Sequence, residues 1–295
     1  MNGKTYIVDM NVLQRAEFAE RIEIETTATF VLPDVAFVEM CKSEKCELTM
    51  RRALKVFASH TERVAAAISV SQALRTEMAK RTPVSRDGIL SPEFASIVRK
   101  LIADLASSEL DKADEIQKTY GRLRSALRLR DLNPALAKDL TAQKMKTIQR
   151  GLPKPFFSAI RKSAFPRARF QDLLHVMTDI FARKHMTNVL GMSDAEARTL
   201  MRERAITVRY EYLLLRHCML TLKRGGDISG AKAETELNHH LDMDYVALGS
   251  YFDGVLSYDH GVNDAMEDLQ NFLSTPVDEA RTRIGPWFEE LASSR

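Results

Sequence analysis

Two short strand-like runs, one near each end of a 295-residue chain and each closed by an aspartate, limit most strongly how this sequence can fold. Lys4-Thr-Tyr-Ile-Val-Asp9 has the apolar, branched composition of a buried parallel strand. Gly254-Val-Leu-Ser-Tyr-Asp259 repeats the pattern close to the other end. A further strand is predicted over Ala28-Thr-Phe-Val-Leu32, after a helix from Asn11 to Arg21. Pro33 and Asp34 then open a helix to about Lys42, because a proline at a helix start loses no needed donor. From about Cys46 to Lys232 the signals are nearly all helical. Pro83 to Ser91 reads as a loop, Ser91-Pro92-Glu93 as a helix start, 109–130 as one helix and Pro134 to Arg150 as another, ended by Gly151. Ser193-Asp-Ala-Glu196 is a capping box, expected to open one long helix ending at Gly225-Gly226. Helices follow over Asp242–Tyr251, Val262–Phe272 and Val277–Leu291. Alternating strands and helices at both ends predict an α/β fold with a parallel, doubly wound sheet. Its expected parts are 1–44 and 233–295, with 45–232 as a large all-helical insertion.

Composition narrows the class of function. Hydrophobic residues make up 45% and charged residues 28%, the profile of a globular protein. No apolar run approaches the ~18 residues that span a bilayer, so no membrane partner is expected. Met1 to Lys4 lead directly into the first strand without signal-peptide architecture. Cys41, Cys46 and Cys218 are too few and too irregular for a disulfide framework or a zinc site. A cytoplasmic chain with reduced thiols is expected. The net charge of +3 is unevenly spread: residues 121–170 carry 13 Lys or Arg against Asp131 and Asp139, a local +11 that leaves −8 elsewhere. Such a segregated field attracts a polyanion. Arg122, Arg124, Arg128 and Arg130, followed by Lys144, Lys146 and Arg150, are the expected phosphate contacts. Phe156, Phe157 and Phe170, interleaved with further basic residues, fit a packed core better than a stacking surface.

The acids carry the chemistry. Asp9 and Asp259 end strands, and in doubly wound sheets the carboxyl ends of strands form the ligand crevice. Glu39 lies in the apolar helix Pro33-Asp-Val-Ala-Phe-Val-Glu39-Met, where an unpaired acid is costly. Asp242 and Asp244 precede the apolar run Tyr245-Val-Ala-Leu. Two acids at strand ends and two on helices can converge on one point. Converging carboxylates call for hard cations such as Mg²⁺ or Mn²⁺, which support in-line displacement at phosphorus.

Tyr6-Ile-Val-Asp9-Met-Asn11-Val-Leu13 resembles the opening Asp-x-Asn motif of PIN-domain proteins. Leu32-Pro33 followed by Glu39 resembles their second, proline-led acidic motif. Asp242 to Asp259, ending Ser257-Tyr-Asp259, resembles the third and fourth motifs, an acid on a helix and then a strand closing in Thr/Ser-x-Asp. The resemblance covers the two ends and leaves the middle unexplained. It implies a Mg²⁺- or Mn²⁺-dependent endoribonuclease in which Asp9, Glu39, Asp242 and Asp259 hold metal or metal-bound water. Asn11 and Ser257 would position water or phosphate. Asp242, 17 residues before Asp259, suits the family pattern better than Asp244 at 15, and both stay open. RNA is the expected partner. Toxin-like members imply an antitoxin or other regulatory protein, and a homodimer is also open. The alternatives are a catalytically silent nucleic-acid-binding or interaction scaffold and a structure-specific, flap-type DNA nuclease.

Asp253 is expected to be structural, at the entrance of the last strand, and Trp287 to dock the final helix. His239 and His240 point in different directions on a helix, so at most one could join a metal site.

Overall fold

The computed structural model describes residues 3–42, 46–106, 133–152, 154–161 and 165–293. The basic residues Arg122, Arg124, Arg128 and Arg130, and the helix expected over 109–130, lie outside the described residues. The chain divides into two compact units. One comprises Met1–Ala73, Val84–Leu132 and Asp244–Met266, the other Leu74–Pro83, Asn133–Met243 and Glu267–Arg295.

The first unit is built on a four-stranded sheet with β1 at Thr5–Val8, β2 at Thr29–Pro33, β3 at Val64–Ala67 and β4 at Val255–Leu256. Its order is β3-β2-β1-β4, and every pairing is parallel. All four residues of β1 are buried, as expected of a parallel strand covered on both faces. Ile7 pairs with Val255 and Val8 with Leu256, which ties the two ends of the chain into one sheet. Asp253 fixes this junction: its carboxylate accepts from the Thr5 N–H at 2.7 Å, and its own N–H donates to the Thr5 carbonyl at 2.8 Å. The expected structural role of Asp253 is therefore borne out. Gly254 follows at φ +125°, a backbone conformation that side chains other than glycine rarely adopt.

One strand arises where only helices are expected. Val64-Ala-Ala-Ala67 pairs with Phe30–Pro33 as β3, so the boundary at 44/45 is corrected: the sheet continues into the expected insertion. Alanine favours helix in isolation, but the edge of β2 and the flanking helix Pro92–Ala106 override that preference here. Arg63 reinforces the turn into β3 by donating to the carbonyls of Ile22 and Ala28 and lying 5.1 Å from the centroid of the Phe30 ring. Beneath them Phe18, Phe30 and Phe57 pack edge-on or tilted with centroids 5.4–5.9 Å apart. The expected helix Asn11–Arg21 is two, Met10–Leu13 and Ala16–Ile24, interrupted at Gln14 and Arg15.

The second unit is helical throughout its described residues. The capping box at Ser193 and Glu196 is present, but the helix it opens stops at Arg202. Arg204 sits at φ +49°, and a separate helix, Ile206–Lys223, begins beyond it. The long single helix is thus corrected to two. Ala205 offers no side-chain cap, and Glu77 supplies one from elsewhere in the unit. Its fully buried carboxyl accepts from the N–H groups of Ile206 and Thr207, both at 3.0 Å, and from the Thr207 hydroxyl at 2.8 Å. Trp287 packs against Phe156 and Phe165 within this helical unit. Phe156 and Phe170 are buried, in accord with their reading as core, whereas Phe157 is only half-buried.

Candidate active site at the carboxyl end of the sheet

The chain moves outward from β1 through β2 to β3 and returns on the other side of β1 as β4. Strand order therefore reverses between β1 and β4, the topological switch point where parallel sheets open their ligand crevice. Asp9 follows β1 and Ser257 follows β4, which places both at that point. The Asp9 N–H donates to the Leu256 carbonyl at 3.0 Å and holds the two strand ends together.

Asp9 is only 4% exposed. Its Oδ2 accepts from the Ser257 hydroxyl at 2.6 Å and the Asn11 amide at 2.7 Å, and its Oδ1 from the Asn11 N–H at 3.2 Å. Asn11 in turn accepts from the Tyr258 N–H at 3.1 Å, and Ser257 accepts from the Asp259 N–H at 2.9 Å. Asp9, Asn11, Ser257 and Asp259, all expected site residues, form one connected network. Burial raises the proton affinity of Asp9; the Ser257 and Asn11 hydrogen bonds oppose this and the nearby Asp259 charge adds to it.

Glu39 joins through charge. Burial raises it as well, with the Tyr245 hydrogen bond opposing, Asp9 adding and Lys42 relieving. Tyr245 donates its hydroxyl hydrogen to Glu39 Oε2 at 2.7 Å and accepts from the Met10 N–H at 3.3 Å. This buried tyrosine links the second acid to the residue after Asp9. Its place within an apolar run conceals it in the sequence.

Sequence reasoning does not single out Asp34 either, although its position directly after β2 mirrors that of Asp9 after β1. Burial pushes Asp34 up to about 6, and burial with the Asp34 charge beside it pushes Asp244 well above the ordinary carboxylate range. Asp242 instead has its carboxylate 3.9 Å from His239. Positions two apart on a helix face different ways, and it is Asp244 that meets an acid of the sheet edge. Asp244 thus lies against Asp34, and Asp242 beside His239.

The raised group sets a pH dependence. The folded state keeps the Asp34 proton up to about 6 while the unfolded chain releases it near the ordinary 3.8. The native state then binds more protons across that window, so stability falls as pH rises through it. Asp34→Asn is expected to flatten this part of the profile in urea titrations at pH 4 to 7. An unchanged slope would contradict the placement of Asp34.

The negative charge acting on Asp9 is that of Asp259, and the one acting on Asp244 is that of Asp34. Among the described residues, however, no group of three His, Cys, Asp or Glu side chains is gathered closely enough to hold a metal ion. Each acid turns to its own neighbour: Asp9 to Ser257 and Asn11, Glu39 to Tyr245, Asp259 to the N–H groups of Gly261 and Val262.

The basic residues of the second unit divide. Lys144 is ion-paired with the largely buried Glu211 and lies 5.0 Å from the Phe181 ring centroid. Lys146 and Arg150 are exposed one turn apart on the helix Pro134–Gly151. His240 is buried between the hydroxyls of Tyr210 and Thr141, and His239 lies against His217. Among the described residues no helix is long and apolar enough to cross a membrane.

No family model, curated protein or solved structure matches this chain.

Proposed function

We propose that the chain is a metal-dependent endonuclease of PIN type that cleaves RNA at the carboxyl end of the sheet. The observation that carries this reading is Asp9, buried at the switch point, held by Ser257 and Asn11 and subject to the charge of Asp259. Asp9, Glu39 and Asp259 would hold a Mg²⁺ or Mn²⁺ ion, with Asp244 rather than Asp242 as the fourth acid. A bound ion of this kind activates a water and stabilises the leaving oxygen of a phosphodiester. Asn11 and Ser257 fix the orientation of Asp9, and Tyr245 fixes that of Glu39. Lys146 and Arg150 are exposed and open to phosphate, and Arg122, Arg124, Arg128 and Arg130 belong to the same positive segment of the sequence.

The ungathered acids favour one alternative, a silent scaffold that binds nucleic acid without cutting it. Incubating purified protein with single-stranded RNA, structured RNA and flap DNA, in Mg²⁺, in Mn²⁺ and in EDTA, separates the two. Cleavage of RNA in either metal and none in EDTA supports the nuclease. Binding without cleavage in any condition supports the scaffold, and cleavage of flap DNA alone moves the substrate to DNA.

A further inference from the structure

Tyr258 stands between Ser257 and Asp259 in the acidic network, yet the residue is 49% exposed. It is the one large hydrophobic side chain of that network left so open among the described residues. Its backbone is not loose: the N–H donates to Asn11 Oδ1 at 3.1 Å, so the ring is presented from a fixed point at the carboxyl end of β4. The guanidinium of Arg15 lies over this ring, 5.5 Å from its centroid. Arg15 is exposed and precedes the helix Ala16–Ile24, in the interruption that splits the expected first helix. An exposed aromatic–guanidinium pair contributes little to folding. Beside several carboxylates, which repel phosphate, it supplies a π-face and a positive charge.

We propose that Tyr258 and Arg15 form a base-stacking and phosphate-holding platform, so that the site takes an unpaired nucleotide strand rather than a duplex. This rests on the nucleic-acid reading above and names its substrate class. A base in an open strand can lie on the Tyr258 ring whatever its identity, because every base has a π-face. A base inside a duplex is already stacked on its neighbours and has to be flipped out first. Arg15, its guanidinium carbon 5.5 Å from the ring centroid, keeps N–H donors for the adjoining phosphate.

The test uses a fluorescein-labelled oligouridylate and an RNA duplex of equal length. Anisotropy is read in Ca²⁺, under conditions in which gels show the probes intact. Tyr258→Ala is expected to weaken single-strand binding by roughly five- to 150-fold, the range for losing one stacked base. Tyr258→Leu, which keeps the bulk without the π-face, should behave like alanine, and Tyr258→Phe should bind like the wild type. Neither loss should change the salt dependence, whereas Arg15→Gln should reduce the log–log slope by about 0.7 for the lost phosphate contact. Duplex binding should be indifferent to Tyr258. Wild-type affinity in Tyr258→Ala, equal losses for strand and duplex, or no single-strand binding by the wild type would each overturn the platform. If the Tyr258 effect is present but no variant cleaves, the platform stands and the nuclease reading falls.

Discussion

Asp9→Asn is expected to reduce RNA cleavage on the order of 10³-fold, the scale on which removing one preorganised electrostatic group depresses turnover. RNA affinity should be nearly unchanged, because the substitution removes a negative charge from the crevice and no cationic contact. Asparagine keeps an oxygen for Ser257 or Asn11 and relieves a carboxylate that burial and Asp259 disfavour in its charged form. The metal-free variant should therefore melt at or above the wild-type temperature. A destabilising change of this kind would also lose activity, so the pairing of lost turnover with intact folding is what identifies a catalytic group. Cleavage assays beside thermal melts in EDTA read both. Full activity in Asp9→Asn would assign any observed cleavage to another site or to a contaminant.

Glu77→Ala is expected to be the most damaging single change in the helical unit, at about 3–5 kcal/mol, because it strands three buried donors at once. The N–H groups of Ile206 and Thr207 and the Thr207 hydroxyl have Glu77 as acceptor. The first N–H groups of a helix have no partner within it, and the carboxyl also faces the positive end of the helix dipole. Glu77→Gln should rescue only part of the loss, since its amide nitrogen sets a donor against donors. Urea titrations followed by circular dichroism measure both variants. A cost in Glu77→Ala no larger than that of a surface substitution would contradict Glu77 as the cap of the helix Ile206–Lys223.

What is legible in the sequence follows from local chemistry. β1 is readable because a short, largely branched and apolar run closed by an acid has few alternatives to a buried parallel strand, and the run around β4 repeats that ending. Asp9, Asn11, Ser257 and Asp259 are readable with them, since their positions depend on those strand ends. β3 is not legible. Val64-Ala-Ala-Ala67 has no strand signature of its own, and only the partner edge of β2 makes it extended. The break at Arg204 is concealed because arginine is a good helix former, and neither glycine nor proline marks the turn. Choosing between Asp242 and Asp244 requires the helix phase against the sheet, which spacing to Asp259 does not supply. Tyr245 and Tyr258 are hidden for opposite reasons. Tyr245 has the apolar neighbours of a core residue and also holds an acid, whereas Tyr258 reads as an ordinary strand residue and stays exposed.

Titration calorimetry with Mn²⁺ tests most directly whether these acids form one hard-cation site. Wild-type protein should show saturable binding. Asp9→Asn should weaken it by more than about 100-fold, beyond the roughly 10- to 100-fold usual for the loss of an outer-shell partner. Asp244→Asn should weaken it as well, and Asp242→Asn should leave it unchanged. Absence of saturable binding by the wild type, or equal affinity in wild type and Asp9→Asn, would contradict a metal-dependent site at the switch point of this sheet.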